Sequence, residues 1–345
     1  MITKIYKDHL LQLQADGVVS VRCHPHCPLS IVNYTEKVQF DNLWTDELME
    51  FRGMIFDSLG GVVSRPFKKF FNYGDPIISG KVPDGRFDVF EKLDGSLGIS
   101  YPFCGQTHIA TRGSFDSPQA HRATEILHVK YSQVSLDPSI TYLFEIIYPE
   151  NRIVVDYGER VDLVLIGMID TLTGQEYPIE DIGFPVPKKY DGLRDLGQVC
   201  AVQESNREGF VIRYANGFRM KIKFEEYKRL HKLLTGITAR HLWEMLRGGT
   251  PLLLNIGAVP DEYHQWVKET EMSILSAYAI IEDQCEFDFS GILDRGAQRK
   301  LLAEYIKLCQ YPSVLFKMLD GKDYSDIIWK AIKPDPSRPF RCARE

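Results

Sequence analysis

Between about residue 15 and residue 225 the chain alternates short β-branched and aromatic runs with Gly, Pro, Asn and Asp. Runs of that length and punctuation predict strands. They fall at Arg86–Lys92, Leu97–Phe103, Thr141–Ile147, Arg152–Tyr157 and Asp162–Ile169, with a hairpin over Gly209–Phe224. After about residue 225 the period becomes that of amphipathic helices. Glu225–Leu234 is helical by composition, and Thr238 is a candidate N-cap for Ala239–Arg247, closed by Gly248-Gly249. Longer apolar faces follow over Glu262–Cys285, Arg299–Cys309 and Tyr324–Ile332. The pattern predicts an α+β domain over residues 1–235 and a smaller all-helical domain over residues 236–345.

A length of 345 residues suits two domains, and 44% hydrophobic with 12% aromatic residues can build a core, which excludes a disordered chain. The formal net charge of −6 excludes a whole-molecule field that draws in nucleic acid, so such a partner needs a local basic patch. The tail offers one, with Lys330, Lys333, Arg338, Arg341 and Arg344, and reads either as a solvated terminus or as a phosphate contact. The strongly apolar stretch Val161–Ile169 is too short to span a bilayer, and the N-terminus has no apolar signal core. Cysteines at 23, 27, 104, 200, 285, 309 and 342 are an odd, dispersed set of the kind expected to stay reduced. A soluble cytoplasmic protein without a membrane partner is the expectation.

The chemistry centres on Lys92-Leu93-Asp94-Gly95-Ser96, where a strand delivers a lysine to an Asp-Gly turn and a second strand returns. Such a lysine can present its amine to a pocket, although a surface hairpin reads the same way. Glu145 lies in an apolar strand, where an unpaired carboxylate is costly. It is either salt-bridged at a strand edge or linked to a metal. Glu208-Gly209-Phe210-Val211 then precedes Lys221-Ile222-Lys223 across Asn216-Gly217, a two-residue type I′ turn signal. That turn pairs Ile212 with Lys221 and Phe210 with Lys223. It puts Glu208, Lys221 and Lys223 on one face, with Val211, Met220, Ile222 and Phe224 on the core side. A Glu and two Lys on one face make either a solvated charged strand or a polyphosphate cage.

Taken in order, Lys-x-Asp-Gly, the strand Glu, Glu-Gly-hydrophobic-Val and Lys-x-Lys resemble the covalent nucleotidyltransferases, the polynucleotide ligases and mRNA capping enzymes. Arg52-Gly53-Met54-Ile55-Phe56, Arg65 to Asn72, Thr111-Arg112-Gly113-Ser114 and Pro149 to Val154 resemble the RNA ligase 1 family, the T-even phage type of tRNA-repair ligases. The likeness covers roughly residues 25–230 and implies an antiparallel-sheet adenylation domain. It implies that Lys92 is the nucleophile that takes AMP from ATP. It also implies that Arg52, Lys69, Phe71, Gly95, Arg112, Glu145, Glu208, Lys221 and Lys223 bind the nucleotide. Asp94, Glu145 and Glu208 would hold Mg²⁺ or Mn²⁺, through water. The implied partner is RNA, such as a broken tRNA, and a separate end-healing kinase or phosphatase is left open. One departure is Arg112, where the family pattern has lysine; its planar fork is not a neutral replacement. A GTP-using capping enzyme and a DNA ligase employ similar residues. Both place an oligonucleotide-binding barrel where this chain turns helical. A catalytically silent RNA-binding module is the reading of another class, and intact reactive positions speak against it.

Cys23-His24-Pro25-His26-Cys27 offers four potential zinc ligands in five residues, but adjacent residues with a rigid proline wrap an ion poorly, so a surface loop is expected. Trp44, Trp243, Trp266 and Trp329 are expected as core anchors.

Overall fold

A computed structural model describes residues 2–179, 181–249, 261–294 and 298–335. In chain order the strands are β1 Val19–Cys23, β2 Leu29–Tyr34, β3 Arg52–Asp57, β4 Val62–Ser64, β5 Phe71–Asn72, β6 Phe87–Lys92 and β7 Ser96–Phe103. They continue with β8 Gln106–Thr111, β9 Ile140–Ile147, β10 Asp162–Asp170, β11 Glu176–Tyr177, β12 Gly209–Tyr214 and β13 Arg219–Lys223. They form three sheets in the orders β1-β2-β3-β4, β11-β10-β9-β7-β8 and β5-β13-β12-β6. All pairings are antiparallel except the short β13–β5 contact. The described residues divide into two compact units, one reaching Leu230 and one starting at His231. The division falls inside helix Glu225–Gly236, and Tyr227 and Leu230 in its first half are buried.

The central strand β9 is apolar on both faces. Tyr142, Phe144 and Ile146 pack with Ala123, Ile126 and Leu127 of helix Pro118–Lys130. Leu143 packs with Ile55 and Ile99, and Ile147 with Leu93 and Val164, on the opposite face. Glu145 interrupts that second row, so period-2 alternation aims it at the space between the sheets. Helix Pro118–Lys130 lies in the stretch expected to be strand-rich. Its local signals are Ser117, whose hydroxyl accepts the Ala120 amide at 3.2 Å, and Pro118 at the first helical position.

Two expectations are corrected. Arg152–Tyr157 is not a strand, because the Val154 and Val155 amides donate to the Asp94 side chain, at 2.9 Å each, in place of a neighbouring strand. The β12–β13 hairpin is also shifted by one residue: Val211 faces Lys221, Ile212 faces Met220 and Gly209 faces Lys223. Of Asn216 and Gly217 only the glycine takes positive φ, at 83°, so the turn is a three-residue loop and not type I′. Phe210, Ile212, Met220, Ile222 and Phe224 therefore point to the core, and Val211 joins the lysine face.

In the helical unit, Asp261–Leu293, Arg299–Ile306, Pro312–Leu319 and Ser325–Ala331 share a core of Ile281, Cys285, Ile306, Leu315 and Ile328. Pro312–Leu319 is a helix that the periodicity did not predict. Thr238 caps Ala239–Arg247 by accepting the His241 amide, and the Trp243 indole donates to the Trp329 carbonyl at 2.9 Å. The end of the basic tail, from residue 336, lies outside the described residues. No helix among the described residues is long and apolar enough to cross a membrane.

Candidate active site

Three adjacent strands carry Lys92, Gly209 and Lys223 in one row, because Gly209 is registered against both lysines. The missing side chain at Gly209 leaves a gap between two like charges, and Glu208 fills it. Strict alternation along β12 would send Glu208 to the core with Phe210. Gly209 breaks it with φ at 146°, a conformation that L side chains rarely adopt. A Cβ there would lie 2.0 Å from the Ile222 carbonyl oxygen. Glu208, 3% exposed, thus accepts from Lys92 Nζ on Oε2 and from Lys223 Nζ on Oε1, each at 2.9 Å. Burial would raise the Glu208 pKa, but the two lysines outweigh it and hold the carboxyl below its ordinary value. Burial would likewise lower the Lys92 pKa. The carboxylates of Glu208, Glu145 and Asp94 outweigh it, so the resting amine is held protonated.

The turn after Lys92 is fixed by Asp94, which is 4% exposed. Its Oδ2 accepts from the Val154 and Val155 amides, and its Oδ1 accepts from the Tyr227 hydroxyl at 2.7 Å. The Asp94 amide donates to the Tyr157 hydroxyl at 2.8 Å. The Gly95 amide donates to Glu145 Oε1 at 3.0 Å, and among the described residues no donor reaches the other oxygen of Glu145. Burial, reinforced by Glu208 and Asp94 and opposed by Lys92, pushes the Glu145 carboxyl up to about 7.

A second group is cationic. Lys69 Nζ lies 5.3 to 5.6 Å from the ring centroids of Trp44, Phe71 and Tyr34. Arg112 Nη1 donates to the Tyr34 hydroxyl at 3.0 Å. Burial and the neighbouring Arg52 and Arg112 lower the Lys69 pKa, against the pull of Tyr34. Lys221 has no ion pair among the described residues; burial, then repulsion from Lys92, Lys69, Lys223 and Arg52, lowers its pKa to about 6. Cationic groups gathered in this way suit a polyphosphate.

Arg52, Lys92, Asp94, Gly95, Arg112, Glu145, Glu208 and Lys223 line one cavity of about 250 Å³, whose apolar wall includes Leu97, Ile153, Ile166 and Val211. Lys69 and Phe71 line a neighbouring cavity instead, and Lys221 lies in the wall of neither.

A family model for RNA ligases matches residues 50–228, about half of the chain and all of this site's motifs. The chain belongs to the RNA ligase 1 family. It is 32% identical to a candidate RNA ligase of Thermovibrio ammonificans, over 54% of this chain and 54% of that one. It is 25% identical to an RNA ligase of Rhodothermus phage RM378, over 92% of this chain and 86% of that one. The chain thus spans about half the length of the Thermovibrio relative. An archaeal ATP-dependent RNA ligase of known structure is similar at 16% identity and a TM-score of 0.46, over 70% of this chain and 65% of that one.

For this RNA ligase family member, sequence reasoning missed three tyrosines. Tyr34 receives Arg112, Tyr157 receives the Asp94 amide, and Tyr227 donates to Asp94 while its ring lies 4.8 Å from Lys223 Nζ. None lies within a motif. The clearest available signal was position: Tyr227 is four residues past Lys223, in the first turn of Glu225–Gly236. Trp44, expected as a core anchor, packs on the core and also borders the site through Lys69. In the Cys23–Cys27 loop, His24 packs on Phe103 and Phe115, accepts the His26 amide on Nδ1 at 3.1 Å and shares a 3.2 Å hydrogen bond with the Tyr101 hydroxyl.

Proposed function

We propose that this RNA ligase family member joins RNA ends at the expense of ATP, through a lysyl-AMP on Lys92. The observation that supports it is the Lys92–Glu208–Lys223 bridge on the floor of a cavity edged by Arg52, Arg112 and Glu145. Lys92 gives up its extra proton to solvent, its free amine attacks the α-phosphorus of ATP, pyrophosphate leaves and a phosphoramidate bond forms. The AMP then passes to a 5′-phosphate on RNA, freeing Lys92. A 3′-hydroxyl attacks that activated phosphate, the phosphodiester forms and AMP leaves. Lys223 and Arg52 offset charge on the phosphates, and the apolar wall shields the base. Glu208 orients the Lys92 amine and, as a carboxylate, keeps that amine protonated until nucleotide arrives.

The donor set fits a divalent cation only in part. Asp94 spends both oxygens on Val154, Val155 and Tyr227, so it serves the turn and not the metal. Glu145 is the residue that would hold Mg²⁺ or Mn²⁺, and at about 7 it is about half protonated near neutral pH, a proton that a cation would displace; Glu208 spends both oxygens on Lys92 and Lys223 and would join it only by releasing one of them. When bound, such an ion supplies positive charge that loosens the Lys92 proton and offsets charge at the α-phosphate. We assign RNA choice, including a broken tRNA, to the helical unit; the tRNA part rests on resemblance, and a separate kinase or phosphatase would prepare the ends.

The test is transfer of label from α-labelled ATP or GTP to protein, read on a denaturing gel. Label from ATP is expected to require divalent metal and to fall at least about a thousandfold in Lys92→Ala. Normal labelling of that variant would sink the assignment of Lys92, and labelling from GTP would favour a capping enzyme.

A further inference from the structure

The second cavity, about 630 Å³, adjoins the Lys92 cavity, and Phe67, Phe70 and Arg219 line both. We propose that it seats the 5′-terminal nucleoside of the RNA strand that receives AMP. This placement rests on the ligase reading above.

The geometry of displacement at phosphorus carries the argument. Attacking and leaving atoms lie in line. When Lys92 attacks ATP, pyrophosphate departs opposite it. When AMP moves on, Lys92 is the leaving group: an RNA 5′-phosphate oxygen attacks the same phosphorus, the phosphorus–nitrogen bond breaks, and the Lys92 nitrogen keeps the electron pair and regains a proton. The RNA phosphate must therefore enter where pyrophosphate left, among Arg52, Lys69, Arg112 and Lys221. Lys69 is the member of this group that borders the second cavity. The nucleoside behind the phosphate then has that cavity open to it.

Its chemistry suits a nucleoside with a chain continuing outward. Trp44, Phe70, Phe71 and Phe218 offer ring faces and Ile77 an apolar floor. Lys81 at the rim is exposed and makes no ion pair among the described residues. The acids of the cavity are mostly neutralised. Glu50 is held by Arg65 at 3.1 Å and Lys68 at 3.0 Å, and Glu176 by Arg213 at 3.3 Å and by Arg219, which leaves Asp46 at the rim.

The experiment uses full-length protein charged with labelled AMP and mixed with a short unstructured 5′-phosphorylated RNA. Phe218→Ala removes a ring face, and Lys81→Glu reverses an exposed charge without touching the core. Each is expected to slow AMP transfer to RNA about tenfold, while lysyl-AMP formation from ATP stays within about twofold of wild type. Unchanged transfer in both variants would overturn the placement. So would a matching loss of lysyl-AMP formation, which would give the cavity to ATP. So, too, would a defect confined to sealing pre-adenylated RNA onto a 3′-hydroxyl strand, which would give it to the acceptor. Failure of the wild-type protein to form lysyl-AMP would instead remove the ligase reading, and this placement with it.

Discussion

Lys221 shows how single residues here are tuned by the company they keep. With a pKa of about 6 it is mostly neutral at pH 7, against an ordinary lysine that is charged. Phosphate oxygens favour its ammonium form and raise that pKa. Binding of sulfate, which carries no proton of its own near pH 7, should therefore take up as much as about one proton per molecule at pH 7. Calorimetry in two buffers of different ionisation heat reads this directly, and the uptake should fade below pH 6, where Lys221 is already charged. A binding heat that ignores the buffer would contradict it. Metal is left out because it would displace the Glu145 proton and mask the signal. The order of the motifs made Lys92, Glu145, Glu208, Lys221 and Lys223 legible in the sequence. It did not reveal that Asp94 is consumed by the turn, because its partners Val154, Val155 and Tyr227 lie 60, 61 and 133 residues away.

Among the elements, the β12–β13 hairpin is the most instructive. Its existence and its core face of Met220, Ile222 and Phe224 were readable from periodicity, whereas its register was not. Asn-Gly suits both a two-residue turn and a longer loop, and which residue takes positive φ is settled by packing. The slip also explains why Glu208 reaches the lysines only through the backbone of Gly209. Gly209→Ala is accordingly expected to cost at least about 1–3 kcal/mol of unfolding free energy, through strain and the clash with Ile222. It should also break the Lys92–Glu208–Lys223 bridge, so lysyl-AMP formation falls with stability. Denaturant melts alongside the labelling assay check both, and a variant as stable and active as wild type would refute the role given to this backbone.

For the whole molecule, the boundary in hydrophobic period near residue 236 and the division at Leu230 differ by about half of one helix. The chain reads as helical through both, so periodicity alone has no mark to find there. Every residue assigned to the chemistry precedes Lys228, and helix Glu225–Gly236 brings Tyr227 to Asp94. A chain truncated after Gly236 should therefore still form lysyl-AMP if circular dichroism shows it folded, while losing any preference that the full chain has for nicked tRNA over an unstructured strand. Unchanged preference would place RNA choice in the sheet unit. The Asp94 carboxylate has a consequence beyond the reaction. It ties together the turn after Lys92, the irregular stretch around Val155 and the start of a helix far along the chain. Irregular backbone ordinarily trades its amide hydrogens with solvent quickly, but Val154 and Val155 are buried and bonded to a carboxylate that cannot move without dragging three segments. In deuterated water these two amides should be as slow as those of β9, and should quicken together when Tyr227 is changed to phenylalanine.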